Sequence, residues 1–147
     1  MANMTAEAYL RQIGRIKREM QELEEKIEEV GGRVYGMIGI SYDKDKVQTS
    51  PANRFIESFE KLDTIRTQYR KKQATLNYAQ EVIRYQLATL DPLQREVLRL
   101  MFVEGVDSCY SVARIMKMRK MVIQEAKKKG LEELAKRYSK EFIRFKD

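Results

Sequence analysis

Apolar residues Tyr9, Ile13, Ile16, Met20, Leu23, Ile27 and Val30 recur with a 4-3-4-3-4-3 spacing. That alternation keeps one seam of an α-helix facing a single partner helix, here over about three heptads with Glu, Lys and Arg on the flanks. It predicts a first helix beginning near Thr5. Gly31-Gly32 predicts its end, since two residues free to adopt positive φ stop a helix abruptly. A second row, spaced by seven, runs through Phe55, Leu62, Tyr69, Leu76, Ile83 and Leu90. Phe59, Ile65, Ala79 and Leu87 flank it, while Arg66, Gln73 and Gln80 dilute it. This row predicts a longer helix from Ser50-Pro51 to about Leu90. Asp91-Pro92 ends it, because proline disfavours helical geometry in the residue before it. The second helix would measure roughly 55 Å and the first roughly 35–40 Å. A hairpin of the two would then leave part of the longer helix to be covered by the C-terminal region or by a second copy of the chain.

Residues 31–54 lie between these helices and read as one long connector, with four glycines, the run DKDK and a Ser-Pro. Tyr35, Met37, Ile38, Ile40, Tyr42 and Val47 make it too apolar for pure disorder, so it is expected to pack in part. A short extended piece is expected around Val34–Tyr42. Beyond Pro92 the periodicity shortens into three segments. Val97, Leu98, Leu100, Met101 and Phe102 mark the first. Val112, Ala113, Ile115 and Met116 mark the second, and Ile123, Ala126, Leu131 and Leu134 the third. Two short amphipathic helices, a break and a further amphipathic helix are the order of a helix-turn-helix. Tyr138, Phe142, Ile143 and Phe145 predict a helical extension that returns to the protein. The expected architecture is all-α: a coiled-coil-like hairpin over 1–90 for oligomerisation or partner binding, then a helix-turn-helix domain over 91–147.

Composition narrows the chemistry. The chain has 147 residues, of which 35% are charged and only two are proline, as suits a soluble helical protein. No apolar run approaches the roughly 20 residues that span a bilayer, and MANMTAEAYLRQ lacks a signal-peptide layout, so no membrane partner is expected. The single Cys109 excludes an internal disulfide and fits the cytoplasm. There is no histidine, which removes the commonest acid–base group and the commonest metal ligand. GGRVYGMIG lacks the Lys-Ser/Thr of a phosphate-binding loop. These features argue against an enzyme, and no catalytic residue, metal site or cofactor is expected.

Charge points elsewhere. Residues 91–147 carry a net +5 of the chain's +7. Between positions 113 and 129, seven basic residues face one acid, Glu125. Charge runs on helices are ordinarily solvated faces. A helix that is apolar inside and cationic outside also suits contact with a polyanion, since phosphate neutralisation supplies most non-specific nucleic-acid affinity. On that reading the third segment, Arg119 to Lys136, is a recognition helix for the major groove of double-stranded DNA. Arg119, Lys120 and Gln124 are its candidates for base edges, Arg or Lys for guanine and Gln for adenine. Lys127, Lys128, Arg95 and Ser111 are candidates for phosphates. Met121 is open to either a thymine methyl contact or burial. A homodimer is expected through residues 9–30 and 55–87, placing two recognition helices on half-sites about 34–36 Å apart.

The segment 92–134 resembles the region of sigma factors that reads the −35 promoter element. Pro92, Arg95, Val97, Leu98 and Leu100 match its opening, Gly105 its loop glycine, and Val112-Ala113 the start of its helix-turn-helix core. Met116 and Met118 fall on the apolar positions flanking the turn. Ile123, Ala126, Leu131 and Leu134 fall on the buried positions of its recognition helix. Two positions depart from the pattern. Lys117 stands where the family has a turn glycine, and Arg119 where it has a Ser or Thr cap, at a cost of roughly 1 kcal/mol each. With the N-terminal helix, Ser41-Tyr42 and Val47-Gln48-Thr49-Ser50-Pro51, nearly the whole chain resembles the small ArpU/RinA-type regulators of phage late genes. That resemblance implies a phage-encoded activator of late transcription in the host bacterial cytoplasm, with host RNA polymerase as a further partner. Two alternatives belong to other classes: a small terminase subunit that binds phage DNA for packaging, and a purely structural helical protein.

Overall fold

The computed structural model describes residues 4–40 and 51–146, and the chain is all-α. Helices α1 (Ala6–Ile40) and α2 (Pro51–Leu87) are followed by α3 (Pro92–Leu98), which runs directly into a π-helical turn, Arg99–Val103. Helices α4 (Cys109–Met116) and α5 (Lys120–Tyr138) and one 3₁₀ turn, Ser139–Glu141, complete the order. No strand occurs among the described residues.

Helix α1 starts where the pattern predicts. The Thr5 hydroxyl accepts a hydrogen bond from the Ala8 amide at 3.1 Å, satisfying one of the unpaired donors of the first turn. Its end departs from expectation. Gly31 and Gly32 do not stop it, and the helix continues to Ile40. The seam itself supplies the reason, because Val34 extends the row past Val30 and is buried with Leu23, Val30, Leu62 and Ile65. Each glycine inside a helix costs about 1 kcal/mol relative to alanine. Burying a valine side chain contributes about 1.5–3 kcal/mol and offsets that cost.

The expected connector therefore contracts. Residues 31–40 belong to α1, residues 51–54 to α2, and 41–50 lie outside the described residues. The extended piece expected around Val34–Tyr42 is helix as far as Ile40. The packing expected of Tyr35, Met37, Ile38, Ile40, Tyr42 and Val47 falls outside the described side chains. With 35 residues in α1 and 37 in α2, the two helices are nearly equal in length. The mismatch that called for an extra partner is gone.

Packing divides the chain into two compact units, Arg18–Ala74 and Met1–Lys17 with Thr75–Asp147. The division expected between residues 90 and 91 is not the one that packing makes. Arg18–Ala74 is an antiparallel helical hairpin. Glu19 pairs with Lys72 at 2.7 Å, and the Tyr69 hydroxyl donates to Glu24 at 2.7 Å, alongside the cluster around Val30.

The other unit combines the first turns of α1, the last turns of α2 and everything that follows. Tyr9, Leu10, Ile13, Ile83, Leu87, Leu98 and Leu134 are fully buried in it. The chain after Glu141 returns to this core as expected, but as an extended strap and not as a helix. The buried side chain of Gln12 makes this possible. Its Nε2 donates to the Ile143 carbonyl at 2.8 Å, and its Oε1 accepts from the Phe145 amide at 2.8 Å. The side-chain amide thus serves the strap as a neighbouring backbone would, leaving neither group unsatisfied. Phe142 stacks on Tyr9 at 4.6 Å between ring centroids, and Phe145 packs against Tyr9 and Tyr78.

Candidate nucleic-acid interface

The cationic segment of the sequence folds as α4, a three-residue turn and α5. Beneath them lies a core of Val97, Val112, Ala113, Ile123 and Ala126, with Leu93, Leu100, Met101, Val106, Cys109 and Met116 packed around it. The approach to this core is set by the π-helical turn, where the Glu104 amide bonds the Arg99 carbonyl at 2.9 Å, five residues back. Gly105 follows at φ +81, a left-handed conformation that favours glycine. Ser108 then caps α4, its hydroxyl oxygen accepting from the Ser111 amide at 3.1 Å.

Helix α4 ends at Lys117, which lies at φ 55 and ψ 46. A lysine therefore occupies the left-handed turn position, and it is the only described non-glycine residue at positive φ. Arg119 begins α5 with extended backbone and no side-chain cap hydrogen bond. Both departures noted in the sequence fall on the turn. At the far side of α5, Gly130 meets α3 closely. A β-carbon there would come within 2.9 Å of Leu98 Cδ1. This crossing had no separate signal in the sequence, because one glycine inside a helix does not reveal which helix approaches it.

Helix α5 buries Ile123, Ala126, Gly130 and Leu134. With 100° between successive residues, Met121 and Lys128 lie at the middle of the opposite face, flanked by Gln124 and Glu125. A shallow groove runs along that face, lined by Met121, Gln124, Glu125, Lys128, Lys129 and Glu132. Arg119, Lys120, Gln124 and Lys128 are all exposed. Among the described residues no ion pair engages Arg119, Lys120 or Lys128, whereas Lys129 is held by Glu125 at 3.1 Å.

The other candidates are placed differently. Lys127 is half-buried on the flank of α5, and its ammonium lies 3.6 Å from Glu7 at the start of α1. Arg11 bonds the same carboxylate at 2.5 Å. That hydrogen bond, helped by the charge of Lys127 and opposed by partial burial, holds the Glu7 carboxyl below the usual carboxylate range. Lys127 therefore has an acidic partner of its own, a pairing that competes with any phosphate contact. Ser111 is half-buried and serves the α4 cap, its hydroxyl accepting from Ser108 Oγ at 3.1 Å. Arg95 is half-buried in the last turn of α3. The neighbouring Glu96 is taken by Arg99 through two hydrogen bonds of 3.2 and 2.9 Å, which keep its carboxyl below the usual range.

Two residues of α1 that the heptad pattern treats only as polar flank support this region from below. Lys17 donates to the Val103 carbonyl at 2.6 Å, meeting an acceptor at the end of the π-helical turn. The Arg11 guanidinium lies 5.8 Å from the centroid of the Phe102 ring. On α4, Arg114 similarly covers Tyr110 at 5.9 Å.

Among the described residues there is no group of three or more His, Cys, Asp or Glu placed to hold a metal ion. No described helix is long and apolar enough to cross a membrane. The arrangement presents exposed cations at the start of α5 and, beside them, an exposed apolar side chain on a groove of mixed charge, all carried on a packed base. No protein-family model, curated protein or solved structure matches this chain.

Proposed function

We propose that this protein is a double-stranded DNA-binding transcription regulator whose helix α5 enters the major groove. The observation that carries the reading is three exposed cations without acidic partners, Arg119 and Lys120 at the start of α5 and Lys128 on its outer face beside Gln124. Unpaired cations keep their full attraction for phosphate, and a helix following a tight turn is the element that helix-turn-helix proteins lay in the groove. Arg119, Lys120 and Gln124 are assigned to base edges, and Lys128 with Arg95 to the backbone. Ser111 contributes through its place at the α4 cap. Lys127 leaves the phosphate set because Glu7 already holds it. The resemblance to phage late-gene regulators supports transcriptional activation in a bacterial host, with host RNA polymerase as a second partner.

Fluorescence anisotropy of the full chain on a duplex, across a salt series, tests this. With about five phosphates neutralised, log K should fall against log salt with a slope of about −4.5. Lys128→Ala should make that slope shallower by about one unit, while Lys127→Ala should leave it nearly unchanged. A flat salt response removes the electrostatic basis of the proposal. Equal effects of the two lysine substitutions remove the assignment of Lys127 to Glu7 in solution.

A further inference from the structure

Among the described residues the most exposed large apolar side chain is Met121, at 79%, and it stands in the middle of the outward face of α5, directly after the exposed cations Arg119 and Lys120. Its near neighbour Ile123 is fully buried, so the exposure reflects the helix's orientation on its core and not a loosely packed segment. Met118 (42%) and Val122 (38%) add apolar surface at the same end of the helix. Gln124 follows Met121 one turn along and Lys128 two turns along, and all three line the same groove. With α5 laid in a major groove, Lys128 and the cations at the start of the helix would face phosphates, while Met121 would face the groove floor.

From this placement we infer that Met121 is a specificity-determining contact to the 5-methyl group of a thymine. The inference rests on the DNA-binding reading above and names what that face selects. Among the base edges of the major groove, thymine alone presents an apolar group. Methionine suits it, being unbranched, polarizable and able to adapt its three side-chain torsions to a shallow contact. A polar residue at this central position would need a hydrogen-bonding partner on the groove floor, whereas Met121 gains only where water leaves an apolar surface. Gln124, one turn further on, then falls on the neighbouring base pair, where its amide suits adenine.

The test begins with selection of preferred duplexes by the full chain from a randomised pool. Each thymine of the selected duplex is then replaced singly by deoxyuridine, which removes only the methyl group. One position, or two adjacent ones, should lose about fourfold in affinity, the worth of one buried methyl-sized group. Met121→Ala should bind the thymine and deoxyuridine duplexes alike, with an unchanged salt slope, and Met121→Leu should restore the difference. The side chain is exposed, so both variants are expected to keep the fold, and their circular dichroism spectra check this. Deoxyuridine tolerated at every position overturns the inference, as does a Met121→Ala protein that keeps the wild-type sensitivity, or a selection that enriches no thymine position. In each of those cases salt-dependent duplex binding still stands. A chain that binds no duplex at low salt overturns the DNA-binding reading itself, and this assignment with it.

Discussion

Lys117 carries backbone strain that glycine would not. In the left-handed region its β-carbon crowds the following carbonyl, at a cost of roughly 1–2 kcal/mol for an L-residue. Lys117→Gly should therefore stabilise the protein by about 0.5–1 kcal/mol, part of the gain being lost to the freer unfolded chain. Urea unfolding reads this as a raised midpoint with an unchanged slope, and a lowered midpoint would contradict it. The residue type at this position was legible as a departure from a glycine turn. Lys127 was not legible in the same way. In sequence it is one of three adjacent lysines, and only the docking of α1 beside α5 brings Glu7 within 3.6 Å of it.

At the scale of elements, the segment from α3 to α5 leans on the rest of its packing unit. Phe102 lies against Arg11, the Val103 carbonyl is met by Lys17, and Phe142 and Phe145 pack on Tyr9. Thr89, in the turn after α2, accepts hydrogen bonds from Arg137 at its carbonyl and from Tyr138 at its hydroxyl. A fragment of residues 91–147 loses all of these partners. Exposing a large apolar side chain costs about 1.5–3 kcal/mol, and a whole domain is stable by only about 5–15 kcal/mol. The isolated fragment is therefore expected to show weak helicity and no cooperative thermal transition by circular dichroism. A sharp transition in that fragment would show that the start of α1 and the end of α2 are dispensable. Within the elements, the 3.6-residue period placed α2 to α5 closely. It missed the extension of α1 through Gly31-Gly32, because local glycine propensity was outweighed by the burial of Val34 beyond them.

For the whole molecule, the seam from Tyr9 to Val30 is already used inside the chain. Tyr9, Ile13, Ile16, Met20, Leu23 and Val30 are buried without a second copy. Polar replacements at Leu23 and Ile27 would therefore loosen the hairpin itself and give no reading of assembly. A homodimer on paired half-sites would therefore need another surface, and on α2 Ile56 and Phe59 are each about half exposed. Self-association through these residues predicts a dimer in sedimentation at micromolar concentration. Ile56→Lys should return it to the 17.4 kDa monomer without lowering thermal stability. A monomer at the outset, with and without DNA, would count against a dimer. A ring of eight or more subunits would favour the terminase alternative.

The all-α class, the helix starts at Thr5 and Pro51, and most of each helix's buried row were determined by the sequence alone, although Phe59 and Ile115 of those rows are exposed. Periodicity and capping act between residues a few positions apart, so they can be read locally. The exposure of Arg119, Lys120, Gln124 and Lys128 was legible to the same depth, because charged and amide side chains stay outside the apolar stripe of α5. Three features were decided only by the tertiary structure: the pairing of Lys127 with Glu7, the strap held by Gln12, and the exposure of Met121. Each depends on which distant segment arrives beside a side chain. A polar residue accepts several such neighbours equally well, and a methionine is equally at home buried or at a surface. Their surroundings were therefore decided by packing and not by residue type.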